Sequence, residues 1–275
     1  MKIGETGGIS GMIGDICSIC GEKRQIYFNR KVLDKYPVNY FYCDNCGLLQ
    51  TEQPYWLDEA YSSAIAAADT GLVQRNLYNS QILTTLLYFM FDKNGKYLDI
   101  GGGYGLLTRL MRDYGFDFYW TDKYCANIFA QGFDFTTTKP PFTAITAFEI
   151  LEHIHDPLSF LKECLYNYKT KTLIFSTELF EGPPPKPGDW WYYCFNTGQH
   201  VTFYQFKTLQ FLTNELKLKI ISHNNIHIIT DRDIKGNSLK LMTSRLSSIV
   251  FEFIKRRRSK TFSDHVKLSQ SSIDH

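Results

Sequence analysis

Four cysteines near the N-terminus have the residue type and the spacing of a metal site. The chain of 275 residues carries two Cys-x2-Cys pairs that are separated by 22 residues. A tetrahedral Zn²⁺ binds four thiolates at about 2.3 Å, and each pair on a tight turn can supply two of them. A closed shell of four cysteines is typical of a structural zinc site rather than a catalytic one. The predicted ligands are Cys17, Cys20, Cys43 and Cys46.

The residues around the two pairs favour the same interpretation. Gly21 and Gly47 follow the second cysteine of each pair, where a chain that folds round a metal favours a residue without a Cβ. The runs 26–28 and 39–42 are strand-like and can pair between the two turns, which predicts a zinc-ribbon-like module. The alternative, two structural disulfides, needs an oxidising compartment that nothing in the sequence indicates. The other cysteines, predicted to be buried thiols, are Cys125, Cys164 and Cys194.

A second pattern with chemical meaning is a glycine-rich turn. The strand-like run 96–100 contains Asp99, and the turn after it leads into an apolar helix that begins at Leu106. Glycines at such a turn let a ligand press against the backbone at the carboxyl edge of a sheet. The acid before the first glycine would repel a pyrophosphate, whereas it would attract the positive sulfonium and ammonium groups of S-adenosylmethionine. The glycines are Gly101, Gly102, Gly103 and Gly105.

The next strand-like run, 116–121, ends directly before an acid. Asp122 lies 21 residues after Gly101, and a carboxylate at that distance suits the two hydroxyls of an adenosine ribose. A strand-end surface carboxylate is the alternative for Asp122. A nicotinamide-dependent oxidoreductase would share the sheet and this acid, but its turn reads G-x-G-x-x-G, whereas this one reads D-x-G-x-G-x-G.

These motifs resemble those of class I S-adenosylmethionine-dependent methyltransferases. A third phrase that the family carries after its fourth strand is similar to residues 146–153, which are followed by Asp156 and Pro157. The resemblance covers about residues 75 to 230. It implies that Asp99 and the glycine turn hold the methionine end of the cofactor, that Asp122 holds the ribose, and that Phe148 lies near the cofactor. The implied fold is α/β, with a Rossmann-like doubly wound sheet beside the small N-terminal zinc-ribbon-like module.

A narrower resemblance involves both the N-terminal cysteine pairs and the stretch 198–204. Zinc-binding sugar C-methyltransferases also begin with paired cysteines, and after their fifth strand they carry an E-H-x-x-Y-F-S phrase whose His is implicated as a base. The counterpart here is the stretch 198–204, in which Gln199 replaces the Glu and His200 is the corresponding His. The resemblance implies methyl transfer to a small molecule or a saccharide.

An acceptor that holds its proton tightly at pH 7 needs a base, and a His suits that role. His200 is the first candidate because it follows the proline-rich loop 182–188 and the aromatic cluster 190–193, where a lid over the acceptor is expected. The alternative is that His200 only hydrogen-bonds the loop. Tyr192 or Tyr193 is predicted to orient the acceptor, and His153 is a further catalytic candidate for which capping is the alternative. Glu149 and Glu152 share a face if their segment is helical, and at least one of them is predicted to be structural.

The predicted strands and helices that must position these residues alternate along the chain. This alternation predicts βαβ units round a parallel sheet. Asp156 is a predicted N-cap with Pro157 at the first helical position. The predicted strands are 96–100, 116–121, 143–147, 171–176, 219–222 and 226–230, and the predicted helices are 106–114, 157–167, 206–216 and 246–254, with a mostly helical, partly Ala-rich segment over 55–91. The predicted units are a zinc-ribbon-like module (1–54), a helical linker (55–94), a cofactor-binding domain (95–235), and a C-terminal helix with a basic, polar tail (236–275).

Composition limits the possible partners. The chain has 30 Lys and Arg against 28 Asp and Glu, a net charge of +2, which does not favour nucleic acid as a partner. The run Lys255–Arg258 favours the rival reading, in which the zinc ribbon contacts nucleic acid or a partner protein and the α/β part is an inactive scaffold. The apolar stretches are too short to span a membrane, and no secretory signal is recognisable, which predicts a cytoplasmic protein. The acceptor and the oligomeric state do not follow from the sequence.

Overall fold

The computed structural model describes residues 16–62, 69–244, 246–255 and 259–271. The chain begins with a small antiparallel sheet and two helices. The predicted pairing between the two cysteine turns is present, as β1 and β2. The predicted Ala-rich part of the linker lies largely outside the described residues. The first elements are β1 (Gln25–Val32), β2 (Tyr36–Tyr42), β3 (Leu49–Thr51), α1 (Leu57–Ala60) and α2 (Leu72–Met90).

The remaining elements largely follow the predicted bounds. Asp156 caps its helix as predicted, since its Oδ1 accepts a hydrogen bond from the Ser159 backbone N–H at 3.1 Å. The elements are β4 (Lys96–Ile100), α3 (Leu106–Asp113), β5 (Asp117–Thr121), β6 (Ala144–Phe148), α4 (Pro157–Asn167), β7 (Leu173–Ser176), β8 (Thr202–Phe203), α5 (Phe206–Glu215), β9 (Lys219–His223), β10 (Ile226–Thr230), α6 (Gly236–Met242), α7 (Leu246–Ile254) and α8 (Thr261–Ser271).

The central sheet has six strands in the order β5-β4-β6-β7-β10-β9. The first four are parallel, whereas β10 runs antiparallel to β7 and to β9. Chain order reverses between β4 and β6, and the carboxyl ends of these neighbouring strands meet at one edge. That edge is where ligands bind in open α/β sheets. The predicted α/β, Rossmann-like sheet is therefore confirmed.

Apolar side chains cover both faces of this sheet. On one face, residues of β4 and β5 pack against α2 and α3, with Tyr97, Phe118 and Met111 fully buried. On the other face, α4 and α5 pack against Leu98 and Phe175. Adjacent residues of β4 thus point to opposite faces, which is the period-2 alternation of a strand buried on both sides.

Two regions differ from the predicted pattern. The connection between β5 and β6, residues 122–143, contains the short 3-10 turn Phe135–Thr137 and no α-helix, so this unit departs from the general βαβ pattern, although no helix was predicted at a particular place there. The predicted polar tail contains the helix α8, which is held to the core by ion pairs described below. Among the described helices, none has the length and the apolar character that a membrane span requires.

The small sheet takes its fourth strand from a distant part of the chain. Its order is β1-β2-β3-β8, so that Thr202–Phe203 pairs with Leu49–Gln50. A buried aromatic cluster joins the same two regions and includes Tyr40, Trp56 and Tyr193. The N-terminal module therefore shares both a sheet and an apolar core with the segment that contains His200.

Candidate active site

The four predicted metal ligands lie together. The four Sγ atoms all lie within 4.8 Å of one another. The Sγ atoms of Cys17 and Cys46 are 3.5 Å apart, and those of Cys20 and Cys43 are 3.4 Å apart. All seven cysteines are in the described part of the chain, and all are free thiols. Four sulfurs at about 2.3 Å from a tetrahedral ion would be separated by about 3.8 Å. The set therefore fits a zinc ion.

The two turns that carry these cysteines have the expected backbone. Gly21 and Gly47 adopt positive φ angles of 73° and 74°. The Gly21 N–H donates to the carbonyl of Cys17, and the Gly47 N–H donates to the carbonyl of Cys43. The two turns are therefore alike, and each presents its pair of thiols to the same point.

The glycine turn after β4 is shaped for close approach of a ligand. Gly101, Gly103 and Gly105 have φ angles of +60°, +54° and +85°, and Gly105 caps the N-terminus of α3. A Cβ on Gly101 would lie 2.3 Å from Ile150 Cδ1, and one on Gly102 would lie 2.6 Å from Trp120 Cδ1. Side chains are thus excluded here by sterics as well as by backbone conformation.

Asp99 is a buried carboxyl directly beneath this turn. Its Oδ1 accepts a hydrogen bond from the Thr146 hydroxyl at 2.6 Å. Its Oδ2 lies 2.8 Å from the position that a Cβ on Gly102 would take, so this oxygen faces the turn. Burial raises the pKa of Asp99 to about 7, and the neighbouring charge of Asp122 adds to the rise. A positive group placed beside Asp99 would favour its ionised form.

Asp122 lies beside the same turn, at the end of β5. Its Oδ2 accepts from the Gly103 N–H at 2.9 Å, and its Oδ1 accepts from the N–H groups of Tyr124 and Cys125 at 2.7 and 2.8 Å. A carboxylate has about four lone-pair sites, so three backbone bonds leave capacity on Oδ2. The structure thus brings together two acids that are 23 positions apart in the sequence.

The third motif begins at the end of β6 and continues along the same edge of the sheet. Phe148 is the last residue of β6 and is partly buried against the α2 and α3 face. Glu149 follows with a φ of +54°, and its N–H donates to the Ser176 hydroxyl at 3.0 Å. The segment then forms the 3-10 turn Leu151–His153, not an α-helix. Glu149 and Glu152 therefore do not share the face that a helix would give them.

Glu152 has a carboxyl group with no solvent exposure. Neither of its oxygens has a hydrogen-bond partner within 3.5 Å among the described residues, and the Tyr192 and Thr177 hydroxyls are polar groups that lie near it. Burial, and then the nearby charge of Glu149, raises the pKa of Glu152 well above its ordinary value. An unpaired buried polar group costs folding free energy, on the order of 1–3 kcal/mol. Such a group marks a place where a polar group of a ligand can bind.

Two histidines adjoin Glu152. One ligand atom from each of Glu152, His153 and His200 lies within 4.8 Å of the others, and the two imidazole rings lie edge to face at 4.8 Å. Both histidine residues are only partly exposed to solvent. Burial lowers the pKa of His153 to about 4 and that of His200 to about 3, so both are uncharged at neutral pH.

The hydrogen bond of His200 indicates which of its nitrogens is protonated. His200 Nδ1 lies 2.7 Å from the carbonyl oxygen of Tyr192. Because a carbonyl only accepts, His200 Nδ1 carries the proton and donates it, which leaves the lone pair on Nε2 as the atom that can accept a proton. His153 Nδ1 lies 3.0 Å both from the carbonyl oxygen of Gln199 and from the Tyr61 hydroxyl, which can donate or accept.

The structure separates the two candidate tyrosines. The Tyr193 hydroxyl donates to the carbonyl of Pro185, which ties the aromatic cluster to the proline-rich loop. Tyr192 instead packs against His200, with 4.6 Å between the ring centroids, and its hydroxyl lies 3.2 Å from the Thr177 hydroxyl. Of these two tyrosines, Tyr192 is the one that contacts His200. Trp191, which precedes Tyr192 in the chain, is largely exposed.

Three further residues at the site carried no signal in the sequence. The Tyr61 hydroxyl lies 3.0 Å from His153 Nδ1, and the Tyr61 ring stacks on that of Tyr124 at 4.6 Å. Trp120 Nε1 donates to the carbonyl of Gly103 at 2.9 Å, and Thr146 donates to Asp99. Their partners lie at separations of 17 to 92 residues, which no local pattern can reveal.

Three solved structures illustrate the likeness of the fold. The crystal structure of TnmH has a TM-score of 0.43 and 18% identity over 64% of this chain, which spans only 60% of the TnmH chain. Magnesium protoporphyrin IX methyltransferase (ChlM) from Synechocystis PCC 6803 with bound SAH gives 0.39 and 12%, over 64% of this chain and 94% of that one. The plantazolicin methyltransferase BpumL in complex with a monoazolic desmethylPZN analog and SAH gives 0.44 and 12%, over 64% and 93%. No curated protein sequence matches the chain.

A family match is independent of these weak likenesses. The family model described as a methyltransferase domain matches residues 73–223, which is more than half of the chain. The match includes β4 with its glycine turn, both acids, and the cluster of Glu152, His153 and His200. The chain therefore belongs to this methyltransferase domain family, of the class I, S-adenosylmethionine-dependent type.

Proposed function

We propose that this protein transfers a methyl group from S-adenosylmethionine to the oxygen, nitrogen or carbon of a small molecule, with a saccharide as the favoured acceptor. One observation supports the proposal: the buried carboxyl of Glu152 and two neutral histidines form a cluster, and Glu152 and His153 follow β6, the strand beside β4 and its glycine turn. When bound, the cofactor supplies a methyl carbon that is already activated for displacement. The protein then has to align the acceptor and exclude water.

The cofactor would lie across the carboxyl ends of β4 and β5. Asp99 and the turn Gly101–Gly105 would hold its positively charged methionine end, and the free capacity of Asp122 would accept from the ribose hydroxyls. Phe148, at the end of β6, would pack near the cofactor. The raised pKa of Asp99 supports this assignment, because a buried carboxyl that lacks a cation in the free protein has a reason to bind one.

The acceptor would bind at Glu152, His153 and His200. His200 Nε2 would remove the proton of the acceptor atom as that atom attacks the methyl carbon and the bond from that carbon to sulfur breaks. His153 would hold the acceptor beside it. Tyr193 would contribute by fixing the proline-rich loop, and the exposed Trp191 offers an aromatic face to a sugar ring. The saccharide assignment is supported by the resemblance of the cysteine pairs and of residues 198–204 to the sugar C-methyltransferases.

The four cysteines would hold a structural zinc ion. Their thiols are free and close together, and three of the four residues are buried. A closed set of four thiolates leaves no position for a substrate. Cysteine pairs that hold a metal ion instead of forming disulfides are typical of a reducing compartment, so we place the protein in the cytoplasm.

Thermal unfolding with S-adenosylhomocysteine tests the proposal without knowledge of the acceptor. A ligand at about 100 times its Kd stabilises by about 2.7 kcal/mol. For a chain of this size the midpoint should rise by roughly 5 to 10 °C. Asp122→Ala should abolish most of the rise, whereas Asp231→Ala, at an exposed ion pair with Lys171, should keep it. A folded wild-type protein that shows no rise would refute the proposal.

A further inference from the structure

The connection between β5 and β6 is packed at its centre although it contains no α-helix. Phe133 is buried, and its carbonyl accepts the N–H of Trp120 in β5 at 2.8 Å. Asp134 forms an isolated parallel bridge with the same tryptophan. A chain that returns between parallel strands usually does so through a helix, whose apolar face covers the sheet beside it. Another part of the molecule must therefore cover this connection.

The C-terminal helix α8 supplies that cover. The ammonium group of Lys267 lies 5.0 Å from the centroid of the Phe133 ring. A Cβ on Gly132 would lie 2.3 Å from Leu268 Cδ2, and Gly132 has a φ of +79°. The connection thus has a glycine where a side chain of α8 meets its backbone.

Ion pairs also hold α8 against α3, the helix that begins at the glycine turn. The buried carboxylate of Asp264 lies 2.7 Å from the guanidinium of Arg112 and 2.9 Å from that of Arg109. The N–H of Lys260, directly before α8, donates to the carbonyl of Arg112 at 3.1 Å. The guanidinium of Arg112 in turn lies over the Phe133 ring. Helix α8 therefore joins α3 to the connection, as a crossover helix beside α3 would.

The connection that α8 covers also contacts the glycine turn after β4. The N–H groups of Ile128 and Phe129 both donate to the carbonyl of Tyr104, each at 3.0 Å. The carbonyl of Ala130 accepts from the N–H of Phe133 at 3.0 Å. Backbone hydrogen bonds thus link the residue that α8 covers to the residues that lie on the turn.

We propose that α8 takes the place of the missing crossover helix, and that Asp264 and Leu268 are positioning residues that hold the connection 122–134 against the cofactor turn. The inference rests on the proposed function, because Asp122, the first residue of this connection, is the proposed ribose ligand. Both residues act through the connection and not by touching the cofactor. Because coupling between two sites is reciprocal, bound cofactor should also stabilise the attachment of α8.

Calorimetric titration of the full chain with S-adenosylhomocysteine measures the effect of α8 on the cofactor site. Leu268→Ala should raise the Kd about fivefold or more, because the side chain that meets Gly132 is lost. The matched control is Leu241→Ala, which removes an exposed leucine from α6 and should leave the Kd within about twofold. Circular dichroism at the temperature of the titration verifies that each variant is folded.

Hydrogen exchange of the wild-type protein measures the reciprocal effect. Saturating S-adenosylhomocysteine should slow the exchange of the backbone amides of α8, over exchange times shorter than global unfolding. The amides of α6 should exchange at the same rate with and without the ligand. A helix that only supports the fold would not respond to the ligand in this selective way.

The possible failures can be told apart. A wild type that binds S-adenosylhomocysteine without selective protection of α8, or a folded Leu268→Ala variant with an unchanged Kd, would refute the positioning role and leave the proposed function intact. A folded wild type that does not bind the ligand would refute the proposed function and this inference with it. If Leu268→Ala does not fold, the exchange measurement on the wild type decides alone.

Discussion

At the scale of single residues, burial controls the charge of the groups that the proposed reaction uses. Asp99 is shifted toward its protonated form, and His153 and His200 are shifted toward their neutral forms. His153 and His200 are thus uncharged in the free protein at neutral pH, whereas Asp99 is about half ionised. A charged ligand or a transferred proton would change that state, so binding and protonation are linked.

Cofactor affinity should depend on pH through Asp99. Its pKa of about 7 means that below pH 7 the carboxyl must lose a proton before it can hold a cation. Affinity should therefore fall as the pH is lowered below 7, by up to about tenfold per pH unit. Calorimetric titration of S-adenosylmethionine between pH 5.5 and 8 measures this change. Asp99→Asn should bind weakly with a flat profile, and a flat profile in the wild type would contradict the assignment.

Loss of the proposed base should affect turnover and not cofactor binding. His200→Gln should lower the rate about 10²- to 10⁴-fold, since that is the typical contribution of a general base. Because the pKa values of His200 and His153 are about 3 and 4, the wild-type rate should show no step near pH 6.5 that is due to them. Transfer of labelled methyl to a metabolite extract measures the rate. The control is His265→Gln, on the exposed face of α8, and an unchanged rate in His200→Gln would exclude the base.

At the scale of elements, the sequence predicts local structure well where the pattern is local. The bounds of β4, α4 and β10 are those that periodicity and capping indicate, and the glycine turn lies where its motif places it. The pairing of β3 with β8 and the contact of Tyr61 with His153 were not predictable, because each joins residues far apart in the chain. In the cluster of Glu152, His153 and His200, the first two residues belong to one local motif. His200 joins them through a contact between distant parts of the chain.

The glycine turn can be tested with two matched substitutions. Gly101 and Gly182 have similar φ angles, +60° and +68°, but a Cβ on Gly101 would meet Ile150 whereas one on Gly182 would meet no atom within 4 Å. Alanine at either position should cost about 1–2 kcal/mol for the left-handed backbone. Only Gly101→Ala should also lose affinity for S-adenosylhomocysteine. Melting curves and titrations separate the two effects, and equal behaviour of the variants would argue against a cofactor role for the turn.

The proposed zinc ion can be tested at the small sheet. Elemental analysis of the purified wild type should find one zinc per chain, and Cys43→Ser should lose it and unfold at a lower temperature. The control is Cys125→Ser, an isolated thiol outside the cluster. A wild type that is free of metal and unaffected by a chelator would show that the four thiols have another role.

At the scale of the whole molecule, a buried ion pair holds the C-terminus to the core. Arg112 binds Asp264 through two bonds of 2.8 and 2.7 Å, and its guanidinium lies 3.6 Å from the centroid of the Phe133 ring. The sequence predicts only a polar tail here. The ion pair was not predictable, because its partners are separated by 152 residues and the single acid gives no local signal. Tertiary contacts, and not propensity alone, therefore define α8.

Breaking this pair should destabilise the protein strongly. Asp264→Asn leaves Arg112 buried with less compensating charge, and the loss of one partner of a buried pair costs about 3–5 kcal/mol. Arg112 keeps Asp117, so the lower end of that range is expected. Asp233→Asn, at an exposed pair with Lys219, should leave stability almost unchanged because solvent screens the pair. Urea unfolding compares the two variants, and similar midpoints would show that the buried pair does not hold the helix.

The shared sheet has a consequence for the order in which the protein is made. β3 leaves the ribosome about 150 residues before β8, its partner, which at 5–20 residues per second is a delay of roughly 8–30 s. During that time the edge of β3 has no strand to pair with and can associate with other nascent chains. All four N-terminal cysteines are thus synthesised early, whereas the small sheet gains its fourth strand, β8, only after His200 has been synthesised. Newly made chains should therefore depend most on chaperones in this interval.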